Sequence, residues 1–261
     1  MSLLAEERKK IILELLEENG QVKVADLAYQ FDVSTETIRR YLEELESEKK
    51  LKKVYGGAVK IENENEEPTL YEREILRVEE KKQIARKALE FIEDGDVIVI
   101  DEGTTTYQMV NGLCEKNGVT VITNSFPVSS LLISYANRQL FNGELIFIGG
   151  KVQFDHYRSS SSLSEKMAKE FFPDKVFLSA DGLLPNKGVM SYNMEKTMLS
   201  QIYLENATKS FLLIDHSKLN VKASYRLAGI NEIDYILSDV PMPEAWSKEG
   251  ISVNKWIFCQ S

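Results

Sequence analysis

The sequence predicts an α/β protein with two parts, a small helical unit at the N-terminus and a larger unit built on a mostly parallel sheet. Three observations predict this. Residues 1–50 carry apolar side chains at helical spacing, residues 97–238 alternate short apolar runs with helical segments, and an aperiodic acidic stretch lies between them. We expect the first domain at 1–61, a linker at 62–71 and the second domain at 72–261.

The bulk composition is that of a globular protein. The chain has 261 residues, which is enough for two domains, and its 43% hydrophobic and 28% charged residues exclude a disordered or fibrous protein. No apolar run is long enough to span a membrane, and the N-terminus lacks the features of a signal peptide. Cys114 and Cys259 lie far apart and have no metal-like spacing with a histidine. We therefore expect a cytoplasmic protein with no disulfide framework, no metal and no membrane contact.

Three helices and a hairpin are predicted in the first unit. The first helix ends at Asn19-Gly20, and the second is short, with apolar residues at Val24, Leu27, Ala28 and Phe31. Ser34 is the expected N-cap of the third helix, whose inner face would be Ile38, Leu42 and Leu45. Strands follow at Leu51–Tyr55 and Ala58–Ile61, with Gly56-Gly57 as the hairpin turn.

This order of elements predicts a winged helix-turn-helix, in which the third helix enters the major groove of DNA. The net charge is −9, but residues 39–60 carry seven basic and four acidic side chains, so the surface is locally basic. We expect DNA contacts from Ser34, Thr35, Thr37, Arg39, Arg40, Lys52, Lys53 and Tyr55. The alternative is a three-helix protein–protein module whose charges are merely solvated.

The second unit alternates strands and helices. A long amphipathic helix is predicted over about 72–93. Strands are predicted at Val97–Asp101, Val119–Thr123, Leu145–Ile148, Val176–Ala180, Phe211–Asp215 and Tyr235–Ser238. Helices are predicted between them at Thr105–Glu115, Pro127–Asn137, Leu163–Phe171 and Met194–Ala207. Short apolar strands separated by helices predict a largely parallel sheet covered on both faces.

Polar loops follow three of these strands. Asp101 ends the first strand, and Gly103 with three threonines then opens a helix. Free backbone N–H groups and hydroxyls at a helix start favour an anion such as phosphate. Thr123-Asn124-Ser125 and Ile148–Lys151 occupy equivalent strand ends, where open α/β sheets bind ligands. Each loop alone is more simply a capped turn, but the three together favour a phosphate-bearing ligand. The glycine spacing is not that of a nucleotide P-loop.

Two long motifs resemble the DeoR family of bacterial transcription regulators. Val33–Leu45 and Leu51–Ala58 are similar to the family's DNA-binding signature, VS-x-x-TIRRDL-x-x-L followed by a basic strand ending in HGGA. The resemblance continues in the second unit at Asp101–Thr105 (D-S-GTT in the family), Thr123–Ser125 (TNS), Gly149-Gly150 (GG) and Asp215–Lys218 (D-x-SK). It covers about residues 6–239.

The resemblance implies a sensor domain with a fold like those of ribose-5-phosphate isomerase and CoA transferases, which binds a phosphorylated sugar. It places the phosphate on Gly103, Thr104, Thr105 and Thr106, the sugar hydroxyls on Asp101 and Asn124, and a charge partner at Lys218. Further effector contacts are expected from Ser125, Gly150, Lys151, Asp181 and Glu195.

The predicted function is therefore a DNA-binding repressor of a sugar-metabolism operon. We expect it to bind double-stranded operator DNA as a homo-oligomer, a dimer or a tetramer, and a phosphorylated sugar to modulate its DNA affinity. We expect no cofactor and no catalytic residue. The alternative is a sugar-phosphate isomerase or deaminase that carries a DNA-binding-like domain.

The chain departs from the family pattern at several positions. Tyr41 stands where an aspartate is usual, and Lys49 where a glycine precedes the wing. Glu102 replaces the serine of the D-S-GTT loop, and Gln153 lies where an arginine is expected after the two glycines. The first two departures bear on the operator sequence and the last two on the identity of the effector.

Overall fold

The computed structural model of the protein describes residues 3–48, 50–54, 56–60, 67–247 and 251–260. The chain divides into two compact units, residues 1–76 and 77–261. The first unit contains α1 (Leu3–Asn19), β1 (Gln21–Lys23), α2 (Val24–Phe31), α3 (Thr35–Ser47), β2 (Leu51–Val54), β3 (Gly57–Lys60) and α4 (Leu70–Ile75).

The first unit is a winged helix-turn-helix, as the sequence predicts. Helix α1 ends before Gly20, which has a φ of 72°, and Ser34 caps α3 by accepting the N–H of Thr37 at 3.2 Å. The helices bury a common core of Ile12, Leu16, Leu27, Ile38, Leu42 and Leu45. The wing is a three-stranded antiparallel sheet in the order β1-β3-β2. Strand β1 was not predicted, because three residues are too few to show a period of two.

The second unit begins with helix α5. Its helices are α5 (Val78–Leu89), α6 (Thr104–Tyr107), α7 (Phe126–Asn137), α8 (Ser162–Ala168), α9 (Met194–Asn206) and α10 (Glu244–Ser247). Its strands are β4 (Val97–Ile100), β5 (Thr120–Thr123), β6 (Glu144–Phe147), β7 (Val152–Gln153), β8 (Arg158–Ser159), β9 (Lys175–Ser179), β10 (Gly182–Leu184), β11 (Gly188–Ser191), β12 (Lys209–Leu213), β13 (Tyr225–Ala228), β14 (Tyr235–Ser238) and β15 (Trp256–Phe258).

A seven-stranded parallel sheet organises this unit, in the order β15-β14-β12-β9-β4-β5-β6. Alternate side chains enter opposite cores, since successive residues of a strand face opposite sides. Val99 and Leu212 pack in one core with Leu199 of α9, whereas Ile98 and Phe211 pack in the other. The predicted fold class, a small winged helix-turn-helix joined to a larger mostly parallel α/β domain, is confirmed.

The single helix predicted over 72–93 is wrong. The chain forms α4 and α5 with a break at Leu76-Arg77, where Arg77 is left-handed with a φ of 52°. Apolar residues at helical spacing continue across the break, so the pattern conceals it. The Arg77 Nε donates to His216 Nε2 at 3.3 Å, a contact between residues 139 apart that favours the break and that no local pattern reveals.

Other local predictions need correction. The helix predicted over Thr105–Glu115 is the short α6 followed by a 3₁₀ helix at Val110–Glu115. A small antiparallel sheet, β10-β11-β13, and the hairpin β7-β8 were not predicted, because their short strands contain glycine or polar residues and are not the continuous apolar runs of the parallel sheet. Of the residues that the structure describes, none belongs to a helix long and apolar enough to cross a membrane.

Candidate functional site

Helix α3 presents a polar face to solvent. Thr35, Arg39 and Arg40 are exposed, whereas Ile38 on the opposite side is fully buried. Tyr41 also lies in the core, and the Arg40 guanidinium carbon lies 5.8 Å from the centroid of its ring. The departure at Tyr41 therefore changes the packing beneath the exposed face.

Two predicted DNA contacts are occupied in capping α3. The hydroxyls of Ser34 and Thr37 lie 2.9 Å apart, and Ser34 also accepts the backbone N–H of Thr37. Ser34 and Thr37 therefore stabilise the start of α3, and any contact they make with DNA would be in addition to this capping role. Lys52 is exposed on β2, and Tyr55 and Lys49 lie outside the described residues.

The wing is joined to α3 by an ion pair. Lys53 Nζ lies 2.7 Å from Glu43 Oε1, and the Lys53 backbone N–H donates to Glu46 Oε1 at 2.8 Å. The hydrogen bond and charge of Lys53 lower the pKa of Glu43. Arg39 is similarly paired, with Nη1 3.2 Å from Glu36 Oε2. Both basic groups thus already have carboxylate partners.

A groove lies between α3 and the wing. Its volume is about 380 Å³, and it is lined by Val24, Arg39, Leu42, Lys53, Val54, Gly56 and Gly57. Gly56 has a φ of 82°, which favours glycine at the tip of the hairpin. The fold thus brings the two basic groups from the helix and the wing to one surface.

In the second unit, the chain reverses its direction of sheet growth at β4. Strands β5 and β6 are added on one side of β4, and β9 and β12 on the other. Such a switch point opens a crevice at the carboxyl ends of the strands. The loop Asp101–Thr106 follows β4 at this switch point. A Cβ at Gly103 would lie 2.5 Å from Ser179 Oγ, so the close approach of the β4 and β9 ends requires glycine.

The Asp101–Thr106 loop is buried and internally bonded. Thr106 Oγ1 donates to the carbonyl of Asp101 at 2.7 Å, and the Asp101 carboxylate accepts the Ser200 hydroxyl at 3.1 Å. Burial raises the pKa of Asp101 to about 7, although the nearby charge of Lys196 opposes the shift. Thr104 and Thr105 are also buried. Gly103 and the threonines lead from β4 into α6, and burial raises the pKa of the carboxyl group that precedes them.

Asn124 and Ser125 follow β5 at the same sheet edge. Asn124 donates its Nδ2 to the carbonyl of Ser159 at 2.9 Å. Its Oδ1 is buried and has no hydrogen-bond partner among the described residues. Ser125 caps α7 by accepting the N–H of Val128 at 3.4 Å. Asn124 therefore offers a buried acceptor, whereas the hydroxyl of Ser125 serves the helix.

A buried ion-pair cluster lies between these loops. Glu102 Oε1 is 2.6 Å from Arg158 Nη1 and 2.9 Å from Lys196 Nζ, and Lys196 Nζ is 3.6 Å from Asp181 Oδ2. The four side chains are at most 1% exposed. Asp181 was predicted, but Arg158 and Lys196 were missed. Arg158 lies in a segment without periodicity, and no sequence signal marks its pairing with a residue 56 positions away.

The cluster connects to the surface through Gln153. Gln153 accepts the Arg158 Nε at 2.8 Å and donates Nε2 to Glu195 Oε2 at 2.8 Å, and Lys151 Nζ lies 3.4 Å from Glu195 Oε1. The departure at Gln153 thus places an amide between a buried guanidinium and a partly exposed carboxylate. A Cβ at Gly150 would lie 2.1 Å from Ser164 Oγ, so Gly150 is required for packing against α8.

The loop that carries Lys218 follows β12. Asp215 caps this loop by accepting the N–H of Ser217 at 3.0 Å. The N–H of Asn220 donates to the carbonyl of Leu183 at 2.8 Å, which joins the loop to the strand that follows Asp181. The fold therefore gathers the ends of β4, β5, β6, β9 and β12 at one edge of the sheet.

Comparison with known proteins agrees with this division. The DeoR-like helix-turn-helix domain matches residues 8–64, and the DeoR C terminal sensor domain matches residues 76–240. The chain is 32% identical to the HTH-type transcriptional regulator YulB of Bacillus subtilis over 91% of this chain and 90% of that protein. It is 29% identical to the lactose phosphotransferase system repressor of Staphylococcus aureus, over 89% of this chain and 91% of that protein.

Among solved structures, a D-ribose-5-phosphate isomerase in complex with phospho-erythronic acid is similar over 54% of each chain, with 21% identity and a TM-score of 0.40. The two family domains together account for both units, and the second alone spans more than half of the chain. The chain belongs to the DeoR family of helix-turn-helix transcriptional regulators.

Proposed function

We propose that this regulator represses a sugar-metabolism operon and releases its operator when a phosphorylated sugar binds to the second unit. One observation carries the proposal. The same chain has an exposed, arginine-bearing face on α3 and, in the second unit, a sheet edge at which several polar loops lie together. The repressor named among its relatives supports the direction of regulation.

The DNA contact follows from the chemistry of the first unit. Arg39 and Arg40 are exposed near the start of α3, and arginine is suited to bidentate contact with guanine and to phosphate. Lys52 and Lys53 extend the same basic surface on the wing. A homo-oligomer would place two such helices on paired half-sites, which multiplies the affinity of a single unit.

The effector contact follows from the second unit. The loop Gly103–Thr106 provides backbone N–H groups and hydroxyls for a phosphate at the switch point. The unpartnered Oδ1 of Asn124 would accept a sugar hydroxyl, and Asp101 would accept or donate one according to its protonation. Lys218 and Lys151 supply charge at the rim.

Ligand binding must distinguish two states of the protein if it is to change DNA affinity. Coupling of this kind is typically worth about 1–3 kcal/mol, which corresponds to roughly a five- to 150-fold change in affinity. We therefore expect one phosphorylated sugar to weaken DNA binding by a factor in this range, and the unphosphorylated sugar to have little effect.

The test is selective capture of genomic fragments by the purified full chain, followed by elution with a panel of phosphorylated sugars and their unphosphorylated parents. A variant with Arg39→Ala and Arg40→Ala should capture no fragment, whereas Arg86→Ala, an exposed arginine of α5, should behave as the wild type. Failure to select DNA at low salt would overturn the proposal. Turnover of ribose 5-phosphate by the same preparation would then favour the enzyme alternative.

A further inference from the structure

Arg158 and Lys196 form a buried cationic pair that the predicted effector loops do not account for. Both point at one carboxylate oxygen, Oε1 of Glu102, at 2.6 and 2.9 Å. Neither cation is more than 1% exposed. Two buried cations that lie close to the same oxygen favour a bound anion. Here the anion is the carboxylate of Glu102.

The pair borders the crevice in which the phosphate is expected. Glu102 directly precedes Gly103. Arg158 lies on β8, which bridges to Ser125 in antiparallel pairing, and the next residue donates its N–H to the carbonyl of Asn124 at 3.0 Å. Arg158 is therefore connected to the loop that follows β4 through Glu102 and to the loop that follows β5 through the backbone of its own strand.

The position of each cation is fixed by its other contacts. Arg158 donates Nε to Gln153 at 2.8 Å, and Lys196 Nζ lies 3.6 Å from Asp181. Lys196 lies in the first turn of α9, which Asn193 caps by accepting its backbone N–H at 2.9 Å. Each cation therefore keeps a second polar partner, Gln153 or Asp181, if Glu102 is shortened.

We propose that Arg158 and Lys196 form an anion subsite of the effector pocket, and that Glu102 fills this subsite and thereby determines specificity. While Glu102 occupies it, an effector whose phosphate rests on Gly103–Thr106 has no place for a second anionic group. The effector class is then a sugar monophosphate, and bisphosphates and acidic sugar phosphates are rejected. The inference about effector specificity rests on the proposed function, whereas the existence of an anion subsite at Arg158 and Lys196 does not.

The subsite can be tested without knowing the effector. The Glu102→Ala change removes the carboxylate and leaves a space next to the two cations. Sodium acetate should then raise the melting temperature of the full-length variant by about 4 °C more than sodium chloride of equal ionic strength, as expected for an anion at roughly ten times its Kd. The wild type should show no such difference between the two salts.

A matched control separates the subsite from a general effect of acetate. Glu79→Ala removes a carboxylate that pairs with an exposed lysine, Lys82, away from the cluster, and it should respond equally to both salts. If Glu102→Ala is soluble only in acetate, the subsite is also supported. Equal responses of Glu102→Ala to the two salts, or insolubility in both, would overturn it.

Specificity is tested with Glu102→Ala, which empties the subsite and leaves both cations in place. Its affinity for fructose 1,6-bisphosphate relative to fructose 1-phosphate should rise about ten-fold over that of the wild type, since the second phosphate can then occupy the space between the two cations. An unchanged ratio would overturn the role of Glu102 in specificity. If no sugar phosphate releases DNA from the wild type, the proposed function fails, while the acetate result still decides the subsite.

Discussion

Lys53 on the wing and Glu43 on α3 form an ion pair, with Nζ 2.7 Å from Oε1. The pair ties the two parts of the DNA-binding surface together, and it also neutralises a cation that DNA would need. A phosphate that binds Lys53 must therefore displace a carboxylate. The lysine contributes less to DNA affinity than an unpaired lysine would.

Removal of that carboxylate should strengthen DNA binding. Glu43→Gln should raise the affinity for a captured operator fragment by about three- to ten-fold at low salt, as expected for one additional phosphate contact. Fluorescence anisotropy titrations at several salt concentrations would measure the change. Glu14→Gln is the matched control, because Glu14 is exposed on α1 and pairs with Lys10. Equal affinities of the two variants would show that Lys53 does not contact DNA.

Arg40 should make a larger contribution. It is exposed on α3, beside the buried ring of Tyr41, and the loss of a base or phosphate contact costs about 1–3 kcal/mol. Arg40→Ala should therefore reduce operator affinity by about five- to 150-fold, with little change in the urea midpoint. Arg86→Ala serves as the control in the same titration. If the affinity falls only in proportion to the fraction of folded protein, Arg40 does not contact DNA.

The stability of the second unit should depend on the protonation of Asp101. Burial raises its pKa to about 7 from the ordinary value of 3.8. Between these values the folded protein keeps a proton that the unfolded chain has released. The free energy of unfolding therefore falls as the pH rises, by up to about 1.4 kcal/mol per pH unit from this group.

Asp101→Asn abolishes this titration. The variant should gain stability over the wild type as the pH rises from 5 to 8, measured by urea denaturation at both values. Asp94→Asn is the control without a pH dependence. Hydrogen bonds from Asn117 lower the pKa of Asp94 below its ordinary value of 3.8, so Asp94 is ionised in both the folded and the unfolded protein from pH 5 to 8, and its variant should differ from the wild type by a constant amount. A constant difference between Asp101→Asn and the wild type would show that Asp101 keeps an ordinary pKa in the folded protein.

Gly103 should tolerate no side chain. A Cβ there would lie 2.5 Å from Ser179 Oγ, and overpacking of this kind costs about 1–3 kcal/mol. Gly103→Ala should lower the urea midpoint, whereas Gly149→Ala, whose Cβ would meet nothing within 4 Å, should not. The Ser179→Gly change in the Gly103→Ala background should restore part of the loss. Equal effects of the two alanine variants would contradict the close approach.

Elements with a local cause could be predicted from the sequence. Ser34 caps α3 as expected, and β14 spans Tyr235–Ser238 as predicted. The polar strand ends meet at one edge because parallel strands place their carboxyl ends together. These features depend on side-chain chemistry and periodicity within a few residues, which the sequence displays directly.

Elements that depend on contacts between residues distant in the sequence could not be predicted in this way. The break at Arg77 coincides with a contact to His216, and the buried cluster depends on the approach of Arg158 and Lys196 to Glu102. Charged residues are usually exposed, so composition favoured a surface position for both cations. Glu102 was identified only as a departure from a pattern, and its partners required the fold.

The left-handed conformation of Arg77 has a consequence for how the regulator can respond. Arg77 Nε is bonded to His216, and His216 is the residue next to Asp215, which caps the loop carrying Lys218. Arg77 is also the first residue of the second unit along the chain. Arg77 Nε also lies 3.8 Å from Asp215 Oδ1. A ligand that reorders this loop would therefore change the contacts of the residue at which the chain passes from one unit to the other.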